Sequence, residues 1–249
     1  METHSTNATP KSKASRADTL VTLVMFVVTI AMLGYVARAR FFGPTLETRP
    51  PVLPDEPVQL DASALKGTPT TGLVLIEYSD FHCPACRTFT RDTAPFIDEK
   101  YVRTGKLLRV FRHYPSKAAD VLGVKTAEAA ACAGQQGKFW EMHGILFQRD
   151  IDPREQPLAA GLKQLQTFGI EVGLDRAAFE ACLPGEGRES VMMDIASGKL
   201  LEIKATPTLL IGRMQSDGRV KLEERLIGAI PAQELAVVLD RFLGTGPVN

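Results

Sequence analysis

The chain has 249 residues, 45% hydrophobic and 23% charged, with 29 Lys and Arg against 29 Asp and Glu. That length suits a tail plus one large domain or two small ones. The neutral balance leaves no basic excess to collect phosphates and excludes nucleic acid as the partner.

Residues 1–18 are polar, with Lys11, Lys13 and Arg16 ahead of a run from Thr19 to Ala37 that carries no charge. Such a run is about the length a membrane-spanning helix needs. Ala37-Arg38-Ala39 resembles a cleavage site, but a secretory signal has a shorter apolar core, so the run is expected to be an uncleaved single-pass anchor (19–37) behind a cytoplasmic tail (1–18). Arg38, Arg40 and Arg49 blur the positive-inside rule. The orientation therefore rests partly on the cysteines, whose chemistry fits an oxidising compartment. Residues 38–57 are rich in proline and lack periodicity, as an extended tether would.

Val58 to Leu60 reads as a short edge strand and Lys66 to Gly72 as a turn. Leu73 to Tyr78 is then an apolar, β-branched run interrupted by one carboxylate, Glu77, which is how a buried strand reads when something charged must sit beneath a site. After a four-residue turn comes Cys83-Pro84-Ala85-Cys86, followed by a helical pattern. Proline belongs in a helix's first turn, where its missing N–H would be unpaired anyway. Cys83 then lies at the helix N-terminus, where free N–H groups and the macrodipole favour the thiolate, and His82 adjoins it as a positive neighbour. Cys86 is the partner one turn deeper. Zinc wants four ligands, and neither a second CxxC nor an HxxxH is present, so the pair reads as redox-active, with no metal and no further cofactor. Glu77, in apolar surroundings, should have a raised pKa and exchange a proton with Cys86; the plainer reading is a structural acid paired to Arg112.

Residues 84–102 carry Phe89, Phe96, Ile97 and Tyr101 at near-helical spacing, with a kink expected at Pro95 and an end at Gly105. Lys106 to Tyr114 is the next strand, with Leu108, Val110 and Arg112 on one face and Arg109, Phe111 and His113 on the other. This is a βαβ unit, so the two strands should be parallel.

From Lys117 to Lys204 the pattern is helical: Ala118 to Ala133, Lys138 to Gln148, Leu158 to Phe168, Asp175 to Leu183 and Glu186 to Glu202. Phe139, Trp140 and Phe147 read as core, and His143 as a satisfied helical histidine rather than a ligand. Cys132 and Cys182 sit on helices beside alanines. A structural disulfide between them is expected, and two unpaired buried thiols are the alternative. Strand character returns after Thr206-Pro207, with Thr208 to Ile211 and Val220 to Ile227 forming a hairpin over Ser216 to Arg219. Pro231 opens a final helix that Gly244 ends.

The Glu77-x5-Cys83 spacing, Cys83-Pro84-Ala85-Cys86, the RHYP run at Arg112 to Pro115, the QGKFWEMH run at Gln136 to His143 and Thr206-Pro207 together resemble the DsbA-like thioredoxin family, over Val58 to Gly244. The resemblance implies an α/β thioredoxin fold (58–116 and 205–244) with an inserted helical subdomain (117–204), behind the N-terminal transmembrane helix. It implies an exported, monomeric thiol–disulfide oxidoreductase on the periplasmic side of a bacterial cytoplasmic membrane, serving client proteins and reset by a membrane redox partner. Cys83 would be the nucleophile, Cys86 the resolving cysteine, Pro207 the cis-proline beside them and Glu77 the buried acid. Thr206, His82, Pro84 and Ala85 would meet the client, Thr206 by pairing its backbone with an added strand. The dipeptide is Pro84-Ala85 where the enterobacterial oxidase has Pro-His. An oxidase is the favoured reading; a reductase or isomerase, or a copper-handling domain using Cys83, Cys86 and His82, are the alternatives.

Overall fold

The computed structural model describes residues 23, 25–34, 53–60, 64–115, 120–149 and 157–244. The chain divides into two units, Met1–Pro50 and Pro51–Asn249. In the first, residues 25–34 are helical, with Met25, Phe26 and Ile30 exposed. Among the described residues no helix is long and apolar enough to cross a membrane. The expected tail, both ends of the expected anchor and most of the tether lie outside the described residues.

In the second unit, strands β1 (Leu65–Lys66), β2 (Leu73–Ser79), β3 (Leu108–His113), β4 (Thr208–Met214) and β5 (Val220–Ile227) form one sheet in the order β1-β3-β2-β4-β5. β2 is parallel to β3 and antiparallel to β4, so it is central, and all seven of its residues are buried. A strand covered on both faces can be apolar throughout. Its alternation still sorts the side chains. Leu73 and Leu75 pack with Phe89, Ile97, Leu235 and Leu239, while Val74, Ile76 and Tyr78 pack with Val110, Leu201 and Leu210 on the other face.

The first face is covered by helix α1, residues 84–102, and by α7 (Ala232–Phe242). α1 is α-helical over Pro84–Thr88 and Ala94–Ile97, with wider π turns at Phe89–Thr93 and Asp98–Val102. Pro95 has no N–H to donate and its ring crowds the preceding turn. The helix accommodates it by opening into the π turn at Phe89–Thr93. Thr93 Oγ1 donates to Ile230 O at 2.8 Å, and the Tyr101 hydroxyl to Asp240 Oδ1 at 2.9 Å, which fixes α1 against the segment of α7.

Between β3 and β4 lie α2 (Val121–Gln135), α3 (Phe139–Gln148), α4 (Leu158–Glu171), α5 (Arg176–Cys182) and α6 (Glu186–Leu200). Asp120 caps α2 by accepting from Gly123 N at 2.9 Å, and Asp175 caps α5 by accepting from Ala178 N at 2.7 Å. A disulfide joins Cys132 of α2 to Cys182 of α5. Gly187 of α6 lies so near this bridge that a Cβ there would collide with Cys132 Sγ. α6 also grips the sheet: buried Asp194 accepts from Arg112 Nη1 at 2.7 Å and from the His113 backbone N at 2.8 Å, and Ser197 bonds the Tyr78 hydroxyl at 2.8 Å.

Most element ends shift by a few residues from the sequence reading, and the first strand changes its place. The edge strand expected at Val58 to Leu60 is reduced to a single bridge, Val58 with Val220, and the strand that pairs with β3 is Leu65–Lys66, whose Lys66 had been read as the start of a turn. Two residues have no period to read, so only the partner strand defines β1.

Candidate active site

β2 delivers the chain to Ser79, and a tight turn follows. Asp80 Oδ1 accepts from His82 N at 2.9 Å, and Asp80 O accepts from Cys83 N at 3.1 Å. Cys83 is extended (φ −85°, ψ 121°) and serves as N-cap, with Pro84 in the first turn, so its sulfur sits over the open N–H groups of α1. Both thiols are free; Cys83 is half-buried, Cys86 completely buried. Pro84 is exposed beside them and Ala85 is half-buried.

Opposite stands Thr206-Pro207, whose peptide bond is cis. The Cys83 thiol donates to Thr206 O at 3.3 Å. Ionised, the same sulfur accepts from the Cys86 S–H, its strongest support, then from the Thr206 hydroxyl and from the backbone N–H groups of Cys86 and Ala85; these outweigh partial burial and pull its pKa down to about 5. Burial, followed by its bond to Cys83, pushes the Cys86 thiol far up. The two sulfurs are thus driven apart. At neutral pH one is a thiolate and the other a thiol that donates to it.

Two expected contacts are corrected, and His82 gains partners the sequence did not name. Glu77 is buried on the α1 face and pairs with Arg109 Nη2 at 2.8 Å, not with Arg112, which belongs to Asp194. The parallel register decides this, because Leu75 stands beside Arg109 and Glu77 beside Phe111, which places the odd-numbered residues of both strands on one face. Arg109 also reaches Asp98 at 3.1 Å and lies over the Trp140 ring. The His82 ring bonds Asp120 Oδ2 at 3.0 Å and Thr126 Oγ1 at 3.2 Å, tying the turn to α2. His143 is not satisfied: its Nε2 is buried without a partner in a cluster with Phe81, Phe111, Phe139 and Phe147, and burial lowers its pKa well below 6.5. Arg109, Asp120 and Thr126 are site-supporting residues that sequence reasoning missed; the alternation of β3 was the signal for Arg109, and nothing local signalled the other two.

A family model described as Thioredoxin matches residues 60–227. The chain belongs to the thioredoxin family. Among solved structures it is similar to alpha-DsbA1 of Wolbachia pipientis, with 26% identity, a TM-score of 0.62, and coverage of 75% of this chain and 94% of that one. It is also similar to BdbD of Bacillus subtilis in its oxidised form, with 18% identity, a TM-score of 0.60, and coverage of 76% and 97%, a likeness of fold. Its fold is the thioredoxin fold with a helical insertion that the DsbA-like structures share. Among curated proteins it is 31% identical over 166 residues to the Na(+)/H(+) antiporter NhaA 1 of Mycolicibacterium vanbaalenii, covering 65% of this chain and 25% of that protein. The chain therefore spans about a quarter of the length of such relatives.

Proposed function

We propose that this family member exchanges disulfides with client proteins through Cys83 and Cys86, acting as an oxidase. The observation that carries the reading is the opposed treatment of the two sulfurs, a half-exposed Cys83 held down to about 5 above a buried Cys86 pushed up. In the disulfide form, a client thiolate attacks Cys83 Sγ, the Cys83–Cys86 bond breaks and its electron pair goes to Cys86, leaving a client–Cys83 mixed disulfide. A second client thiolate then attacks the client sulfur and Cys83 departs as thiolate. A stabilised Cys83 thiolate leaves faster and stabilises the reduced enzyme, which makes the couple more oxidising. The cis Thr206-Pro207 segment beside Cys83 supports a client strand pairing with the Thr206 backbone. In this reading Thr19 to Ala37 anchors the domain outside the cytoplasmic membrane, and a membrane partner reoxidises it; the uncharged run and the Cys132–Cys182 bridge support this.

Equilibration with glutathione tests the direction of exchange. An oxidase is expected above roughly −180 mV, and a value below roughly −230 mV would assign a reductase instead. Cys83→Ser is expected to abolish oxidation of a reduced test protein, and Cys86→Ser to trap clients on Cys83. A fusion reporter after Asn249 that is active only in the cytoplasm would refute the topology.

A further inference from the structure

Ser79 is the last residue of β2 and is 1% exposed. Its backbone oxygen accepts from Tyr114 N at 2.8 Å, yet its hydroxyl makes no hydrogen bond in the reduced protein. A buried orphan hydroxyl costs free energy and calls for an explanation. Strand alternation puts this side chain on the Glu77 face of β2, toward α1, whose buried side carries Cys86. The next residue confirms the proximity, since the Asp80 N–H points at Cys86 Sγ from 3.5 Å. Burial dominates the Cys86 thiol and opposes its ionisation, but the Ser79 hydroxyl and the Asp80 amide both favour the ionised sulfur.

We propose that the Ser79 hydroxyl, with the Asp80 N–H, forms a donor pair that receives Cys86 as a thiolate when the disulfide opens. The proposal deepens the exchange reading above and rests on it. When a client thiolate bonds to Cys83 Sγ, the electron pair of the broken S–S bond lands on Cys86, in a site that excludes water. Neither the disulfide nor the resting thiol needs the donor; the transient thiolate does. Ser79 keeps its proton throughout and supplies only the hydrogen bond. Cys86 is finally neutralised by a proton released as the client's second thiol ionises. The same donor then serves the reverse step, in which the Cys86 thiolate attacks a mixed disulfide on Cys83. Interactions that exist only in the transition state change rates and leave equilibria alone.

The test is Ser79→Ala in the full chain. Stopped-flow opening of the oxidised protein by glutathione is expected to slow about 10- to 100-fold, the effect of losing one hydrogen bond to a charged acceptor. Reclosure should slow by the same factor, so the reduction potential is unmoved. The Cys83 titration midpoint should also be unmoved, and the Tm equal or higher, because the variant removes an orphan hydroxyl. An opening rate within twofold of wild type overturns the proposal. So does a slower rate accompanied by a changed potential, midpoint or lowered Tm, which would mark a disturbed site. If instead the Cys83→Ser protein still oxidises a reduced test protein, the underlying assignment of nucleophile has failed, whatever Ser79→Ala does.

Discussion

Replacing Cys86 by Ala removes the strongest support of the Cys83 thiolate while leaving the helix N–H groups in place. A hydrogen bond to a charged acceptor contributes roughly 1.5–3 kcal/mol. Cys83 is half-exposed, so solvent screening favours the lower part of that range. At about 1.4 kcal/mol per pH unit this raises the Cys83 midpoint by about 1 to 1.5, from about 5 toward roughly 6 to 6.5. At pH 5.5 the thiolate fraction should fall from about three-quarters to about one-seventh, so alkylation slows about fivefold, and the two proteins converge above roughly pH 8. The assay is the pH profile of iodoacetamide labelling, checked by thiolate absorbance. Because the folded thiol is more acidic than the unfolded one, its contribution to the stability of the reduced protein is full above roughly pH 8.5 and is lost as pH falls through about 5. In the variant that loss is complete about one unit higher. An unchanged midpoint in Cys86→Ala would show that the backbone alone holds the thiolate, and a wild-type midpoint near 8.5 would refute the electrostatic account of the site.

Arg109→Met leaves Glu77, which is fully buried, as an unpaired charge; the expected cost is about 3–5 kcal/mol, seen as a Tm drop of about 10 °C or more, with part regained in the Glu77→Leu/Arg109→Met double variant. A loss under about 1 kcal/mol would mean that water reaches the pair. Replacing both Cys132 and Cys182 by Ser opens a loop of 50 residues and should cost up to about 4 kcal/mol in denaturant unfolding, with negligible loss arguing against a structural bridge. His143, buried near Arg109, Lys66 and His113, has a pKa below its unfolded value, so the unfolded chain takes up the proton first and stability falls as pH drops below roughly 6.5, by up to about 1.4 kcal/mol per unit. His143→Phe should flatten that slope, and an unchanged slope in equilibrium unfolding would exclude His143 as its source.

The order of elements was written in the chain. The apolar, β-branched run at Leu73 to Tyr78, the strand at Lys106 to Tyr114, the near-helical spacing after Pro84 and the turn at Ser216 to Arg219 are local signals, because backbone sterics and burial act on neighbouring residues. Placing Cys83 at a helix N-terminus needed only Pro84 and the strand before it. The two-residue β1 offered no period, and the π turn at Phe89–Thr93 answers Pro95 in a way its spacing did not announce. Distant pairings were a different matter. Arg109 and Arg112 are three residues apart on opposite faces of one strand, and only the parallel register with β2 assigns the first to Glu77 and leaves the second to Asp194 of α6. His82 turns to Asp120 and Thr126 because α2 passes beside the active-site turn. The sequence by itself determined which residues could do chemistry and on which element each sits. The tertiary structure decided which charges and donors face one another, since groups 32 to 123 positions apart meet only once packing has fixed register and rotamer together.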